Sequence, residues 1–86
     1  MKTYTVEFAR PARKDLESLP ATLQDRLLRA IEKLGTNPHP PGSLKLKGSE
    51  SSYRIRVGSY RVIYEIEDDI VVVLIVRVRH RREAYD

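Results

Sequence analysis

The sequence contains no cysteine, and its apolar runs are short. Without cysteine, a disulfide framework, a thiolate zinc site and a cysteine nucleophile are excluded. The one strongly apolar run, residues 70–76, has the length of a strand and falls short of the roughly 20 residues that span a bilayer. No Walker-type glycine loop, HExxH pair or GxSxG elbow is present. These absences predict a cytoplasmic protein with no membrane partner, and no cofactor or metal site is expected.

Acidic residues are the scarcer charged class, with 12 aspartates and glutamates against 16 lysines and arginines and a formal net charge of +4. In the second half of the chain the largest group of acids lies at one predicted turn, residues 67–69. The basic residues there form three groups: Lys45 and Lys47; Arg54, Arg56 and Arg61; and Arg77, Arg79, Arg81 and Arg82. Bunched positive charge favours a surface that binds a polyanion, with a merely solvated basic face as the alternative.

The first half of the chain predicts one strand and a helical hairpin. A chain of 86 residues supports one core, so a single domain over residues 1–86 is expected. Polar and apolar residues alternate over residues 3–8, as in a strand buried on one side. Pro11 and Pro20 suit the first turns of two helices, and apolar residues recur at helical spacing after each. Gly35 stands where a C-terminal cap is expected.

The second half changes to a period of two after the proline-rich loop at residues 37–42. Alternating segments follow at residues 44–47, 53–57 and 60–66, and residues 70–78 are nearly all β-branched. We therefore predict an α+β fold. It has an N-terminal strand, a helical hairpin and then a three- to four-stranded, mostly antiparallel sheet with the hairpin packed on one face.

Period-two spacing also predicts where the arginines lie. If Tyr53 and Ile55 face the core, Arg54 and Arg56 project from the opposite face, and Arg61 joins them across the Gly58-Ser59 turn. On the last strand Val76 and Val78 are expected to face inward, so that Arg77 and Arg79 face outward. Only Glu65 and Glu83 are well placed as carboxylate partners, so most of these arginines are expected to lack one.

Two further side chains near the end of the sequence could take part in chemistry. His80 lies between Arg79 and Arg81, and neighbouring positive charges favour the neutral imidazole, which can accept a proton. Tyr85 follows the same cluster and is either an apolar tether or a proton-transfer group. Tyr53, Tyr60 and Tyr64 follow the strand periodicity and are predicted to belong to the core.

Three segments carry a resemblance to a known family: LKLKG at residues 44–48, YRIRVGSYRVIYEI at residues 53–66 and HRREAY at residues 80–85. Together with the element order, they resemble RelE-type toxins of the RelE/ParE superfamily of bacterial and archaeal toxin–antitoxin systems. The resemblance implies a metal-free, ribosome-dependent endoribonuclease that cuts mRNA in the ribosomal A site. It also implies that the partners are the ribosome, mRNA and a cognate RelB-like antitoxin, expected to be acidic and partly disordered.

The resemblance also implies roles for individual residues. In such toxins the ribose 2′-hydroxyl attacks the adjacent phosphate, and basic side chains stabilise the developing charge. The implied catalytic residues are Arg56, Arg61, Arg81, Tyr85 and His80. The implied RNA-binding residues are Arg54, Lys45, Lys47, Arg77, Arg79 and Arg82. Either Tyr85 or His80 would take the 2′ proton, and Arg81 would stabilise or protonate the leaving oxygen.

The sequence departs from the family pattern in two respects, and two other functions remain as alternatives. Arginines stand at positions 54 and 56, where the well-studied bacterial form has lysines, and an arginine cannot act as a general base. The sequence ends one residue after Tyr85, so the short terminal helix of longer relatives is expected to be missing. The alternative functions are a ParE-like toxin of the same fold that acts on DNA gyrase, and a non-catalytic RNA-binding module.

Overall fold

Strands from both halves of the sequence form one five-stranded sheet, in which the first strand lies beside the last. A computed structural model describes residues 3–84. Its elements are β1 (Thr5–Phe8), α1 (Arg10–Glu17), α2 (Ala21–Lys33), β2 (Leu44–Lys45), β3 (Ser52–Val57), β4 (Tyr60–Glu67), β5 (Val72–His80) and α3 (Arg81–Ala84). The strand order is β1-β5-β4-β3-β2, and only β1 and β5 are parallel. The predicted α+β fold is therefore confirmed, and the N-terminal strand becomes a fifth strand of the sheet.

The two longer helices form in the predicted segments, although α1 already ends at Glu17 and the cap of α2 differs from the prediction. Pro11 lies in the first turn of α1, where the N–H that proline lacks has no helical partner, and Ala12 and Leu16 are buried. The C-cap of α2 is Leu34, not the predicted Gly35. Gly35 is needed for a different reason, because a Cβ there would lie 3.0 Å from the carbonyl oxygen of Tyr4. None of the helices within residues 3–84 is long and apolar enough to cross a bilayer.

The core lies between the helices and one face of the sheet. Leu27 and Ile31 of α2 are fully buried against Val62, Tyr64 and other strand residues. The Tyr64 hydroxyl donates a hydrogen bond of 2.7 Å to the Pro38 carbonyl, which ties the proline-rich loop to the core. Burial raises the pKa of Tyr64 to about 12, because the phenolate would lose its hydration. The predicted placement of the other two tyrosines is confirmed, since both pack against this core.

A β-bulge in β5 changes which of its residues face the core. Tyr64 pairs with Ile75 and Ile63 pairs with Arg77, so Val76 is the extra residue between them. β5 contributes Val73, Ile75 and Val78 to the core cluster, and Val76 is only half-buried. The prediction that Val76 faces inward is wrong, because uniform period-two counting cannot include an inserted residue.

The edge of β5 beyond the end of β1 is covered by a carboxylate. β1 pairs with β5 only as far as Ile75, so the backbone N–H of Val78 has no strand partner on that side. Asp15 of α1 accepts this N–H at 2.9 Å and also accepts hydrogen bonds from Arg77 Nε and Nη2 at 2.9 and 3.1 Å. The expectation that Arg77 lacks a carboxylate partner is therefore wrong. The hydrogen bond to Asp15 raises the pKa of Arg77.

The last element corrects another expectation. A terminal helix was expected to be missing, whereas one helical turn, α3, directly follows β5. The Arg81 N–H donates a hydrogen bond of 2.8 Å to the Ser59 carbonyl, which fixes the start of α3 beside the turn between β3 and β4. Tyr85 lies outside the described residues.

Candidate functional site

Three arginines form a row across the sheet face opposite the helices. Arg56 of β3 pairs directly with Arg61 of β4, and Arg61 pairs directly with Arg79 of β5. Neighbouring strands lie only about 4.7–4.9 Å apart, so these positive charges are close together. Like charges directly opposite each other cost stability, on the order of 0.2–1 kcal/mol per pair. We call Arg56, Arg61 and Arg79 the arginine row, and its repulsion would be relieved by a bound anion.

A small pocket lies at one end of this row. It has a volume of about 100 Å³ and is lined by Arg56, Gly58, Tyr60, Arg61 and Arg81. We call it the arginine pocket, since β3, β4 and α3 each contribute one arginine. One water occupies roughly 30 Å³ in the liquid, so the space suits a group of a few heavy atoms, such as a phosphate. Arg61 Nε is buried and has no hydrogen-bond partner among residues 3–84. An unpaired buried donor is costly, so the packing that positions Arg61 lowers the stability of the fold.

The turn between β3 and β4 explains why the arginine pocket forms. Gly58 has a φ of +60°, which favours glycine, and this tight turn keeps Arg56 and Arg61 directly opposite each other. A Cβ at position 58 would also lie 3.0 Å from Nη1 of Arg26, a residue of α2. The hydrogen bond from Arg81 N–H to this same turn then adds the third arginine.

A second cavity lies beside the first and contains three more of the predicted residues. It has a volume of about 440 Å³, and we call it the side pocket. Its lining residues are Leu44, Lys45, Leu46, Lys47, Arg54, Arg61 and Ile63. Partial burial, together with the charges of Arg61 and Arg56, lowers the pKa of Arg54. Arg61 lines both cavities, so the side pocket and the arginine pocket adjoin each other.

His80 lies at the end of β5 against Tyr60, with ring centroids 5.3 Å apart in an edge-to-face arrangement. Its Nδ1 accepts a hydrogen bond of 3.2 Å from the backbone N–H of Arg82. A neutral ring held in this way carries its hydrogen on Nε2, which makes Nε2 a donor. The hydrogen position is assigned from this bond. The arrangement therefore suits hydrogen-bond donation better than proton abstraction.

The remaining predicted residues are more dispersed. Arg79 Nε lies 3.9 Å from Glu83 Oε1, and because Glu83 is 60% exposed this ion pair contributes little to stability. Arg82 is exposed on α3, and Arg77 is held by Asp15. Asp15 is the partner that the sequence reasoning missed. No local pattern could have revealed it, since it lies 62 positions from Arg77.

No three histidine or carboxylate side chains within residues 3–84 come together in a way that could hold a metal ion. The groups that do come together are guanidinium and ammonium groups, which bind anions. What this face offers chemically is fixed positive charge and N–H donors around a phosphate-sized space.

Comparison with known proteins places the chain among small toxins. Residues 6–85 match the family model described as ParE toxin of type II toxin–antitoxin system, parDE. The chain is 37% identical to Toxin RelE3 of Methanocaldococcus jannaschii, over 94% of each chain. It is 30% identical to the mRNA interferase toxin RelE of Escherichia coli, over 95% of this chain and 90% of that protein. The archaeal RelE–RelB complex of Pyrococcus horikoshii contains a chain of the same fold, with a TM-score of 0.81 and 33% identity. That match covers 95% of this chain and 99% of the other.

Proposed function

The chain belongs to the RelE/ParE superfamily of type II toxin–antitoxin toxins, and from this premise we propose that it is a ribosome-dependent endoribonuclease. It cleaves mRNA in the ribosomal A site and so inhibits translation. The observation that carries this proposal is the arginine pocket, in which Arg56, Arg61 and Arg81 line a phosphate-sized space. The relative named mRNA interferase supports the same assignment.

The proposed reaction begins with attack of a ribose 2′-oxygen on the adjacent phosphorus. The bond from the 2′-oxygen to phosphorus forms as the bond from phosphorus to the 5′-oxygen breaks, leaving a cyclic phosphate on one product. Negative charge builds on the non-bridging oxygens, and Arg56 and Arg61 stabilise it. Donors fixed in place before the reaction are effective because they need no reorganisation in the transition state. The reaction as proposed requires no metal ion.

Two further groups act on the attacking and the leaving oxygen. We assign the removal of the 2′ proton to Tyr85, because His80 Nδ1 already accepts the Arg82 N–H and its Nε2 is a donor. Arg81 stabilises the leaving 5′-oxygen through charge and hydrogen bonding. A guanidinium does not give up its proton in proteins, so the proton that this oxygen finally takes comes from solvent. Arg54, Lys45 and Lys47 hold the RNA backbone beside the cleaved bond.

The proposed partners follow from the same surface. The sheet face with the arginine row would bind the ribosome-held mRNA, and a cognate RelB-like antitoxin would neutralise the toxin in the cytoplasm. An acidic antitoxin segment suits the basic residues of this face by charge complementarity. The RelE–RelB complex of Pyrococcus horikoshii is a precedent for such a partner.

Cleavage by the Arg61→Ala variant tests the proposal. The expected result is a loss of roughly 10²–10³ in the rate of mRNA cleavage on programmed ribosomes, as for removal of one stabilising donor elsewhere. Primer extension maps the cut, and circular dichroism checks the fold. Arg13→Ala is the matched control, because it removes the same charge from an exposed position on α1 and should cleave normally. Equal cleavage by both variants would contradict the role of the arginine pocket.

Inhibition of DNA gyrase is a second candidate function, because the matching family model is described as a ParE toxin. For ParE-like toxins the target would be DNA gyrase. A supercoiling assay with purified gyrase, run beside the ribosome assay, separates the two functions. Inhibition of supercoiling with intact mRNA would replace our proposal by this one. RNA binding without either effect would indicate a non-catalytic binding module.

A further inference from the structure

An apolar residue lies exposed at the β2 edge of the basic face. Leu44 of β2 pairs with Arg54 of β3, and Arg54 pairs with Ile63 of β4, so these three side chains share the face of the arginine row. Leu44 is 53% exposed, and only one other large apolar residue among those described, Ile70 at 68%, is exposed to this degree. A single exposed leucine is ordinary, but Leu44 lines one cavity together with Ile63 and Arg54, so this part of the basic face is apolar as well as charged.

The position of these residues relative to the arginine row is fixed by strand geometry. Arg54 is two residues from Arg56 on β3, and Ile63 is two residues from Arg61 on β4. Two residues along a strand span about 6.6–6.8 Å. The apolar surface therefore lies one such step from the charges that would hold the scissile phosphate, and Arg61 lines both cavities.

We propose that the side pocket binds the nucleobase of a nucleotide flanking the scissile phosphate, with Leu44 and Ile63 contacting the face of the base. This inference rests on the proposed function and adds a substrate subsite to it. In the side pocket the base lies over Leu44, Ile63 and the aliphatic stem of Arg54. Lys45 and Lys47 also line the side pocket, and their ammonium groups would bind the next phosphate.

The chemistry of the pocket fits a base better than a further phosphate. A nucleobase has two apolar faces and a polar edge, and proteins that hold single bases pack those faces against apolar or aromatic side chains. A phosphate has no apolar surface and would leave Leu44 and Ile63 in contact with bound water. The volume of about 440 Å³ is also several times that of the arginine pocket, which matches the larger group.

The experiment combines a change in the protein with a change in the RNA. Programmed ribosomes carry mRNA in which a ribo-abasic residue, with its 2′-hydroxyl kept, replaces the nucleotide on the 5′ or the 3′ side of the cut. For wild-type protein, removing the base at one of these positions should lower the single-turnover cleavage rate roughly tenfold, the scale of one base-stacking contact. The double variant Leu44→Thr and Ile63→Thr should cut intact RNA about tenfold more slowly than wild-type protein does. Removing the base should then lower the cleavage rate of this variant by less than about twofold.

Controls make the test specific. Leu44→Thr alone changes an exposed residue on an edge strand, so it should keep the fold and show an intermediate loss of base sensitivity. Ile70→Thr removes the other exposed apolar residue, at the turn before β5, and should keep the full base sensitivity. Equal base sensitivity in wild-type and double-variant protein would overturn the inference while leaving the proposed function in place.

Two other results would also be decisive. If Leu44→Thr weakens binding of the antitoxin but does not change base sensitivity, the apolar surface serves the antitoxin and the base subsite is rejected. If wild-type protein does not cut ribosome-bound RNA at all, the proposed function fails and this inference fails with it.

Discussion

Asp15 supports the edge of β5, and its replacement by alanine should destabilise the whole domain. Its carboxylate is 18% exposed and accepts hydrogen bonds from Val78 N–H and from two nitrogens of Arg77. In Asp15→Ala the Val78 N–H loses its acceptor. A hydrogen bond to a charged group contributes about 1.5–3 kcal/mol. The Arg77 pair adds at most about 1 kcal/mol, because Arg77 is 39% exposed and water screens the attraction.

The expected loss in the free energy of unfolding is therefore about 2–3 kcal/mol. A domain of 86 residues has roughly 4–13 kcal/mol in all, so the loss is a large share. The corresponding fall in melting temperature is about 10–20 °C. Arg77→Ala should cost under about 1 kcal/mol, because Asp15 keeps its bond to Val78 N–H. A larger loss of stability in Asp15→Ala than in Arg77→Ala would thus show that Asp15 acts mainly on the strand edge and not through the ion pair.

Urea denaturation followed by circular dichroism measures both variants. Asp25→Ala is the matched control, since it removes an exposed carboxylate from a helix and gives the same gain in helix propensity. Hydrogen exchange adds a local reading, and the amide of Val78 should lose its protection in Asp15→Ala. The reasoning is refuted if Arg77→Ala is the more damaging change, or if Val78 stays protected without Asp15.

Three further predictions concern pH, proton transfer and the antitoxin. The unfolded chain loses the Tyr64 proton near its ordinary pKa of 10, whereas the folded chain holds it to about 12. The free energy of unfolding should thus fall by about 2–3 kcal/mol between these pH values. This decrease should be absent in Tyr64→Phe. If urea titrations show the same dependence of the free energy of unfolding on alkaline pH in wild-type and variant protein, the prediction is wrong. Tyr85→Phe should slow single-turnover cleavage nearly as much as loss of Arg61, and His80→Ala should be mild; the reverse order would make His80 the base. The antitoxin complex should weaken strongly between low and molar salt in a binding titration, and equal affinity at both would reject the electrostatic contribution.

Much of the fold was predictable from local sequence because it depends on local periodicity. The helical stripe that includes Leu27 and Ile31 identified α2, and the alternation around Ile55 put Arg54 and Arg56 on the opposite face. The Gly58-Ser59 turn then predicted that Arg61 would join them. These inferences need only neighbours along the chain, so the sequence alone determined the fold class and the charged character of one sheet face.

Other features depend on residues far apart in the chain, and only the tertiary structure decided them. Val76 is displaced by a bulge that is defined by pairing with Ile63 and Tyr64 on another strand. Arg77 is withdrawn from the basic face because Asp15, on a helix, reaches the open edge of β5. Packing also decided that Arg61 Nε is buried with no hydrogen-bond partner among residues 3–84. The burial of a side chain depends on every element around it, whereas a period-two pattern predicts only the face of the sheet to which its Cβ points.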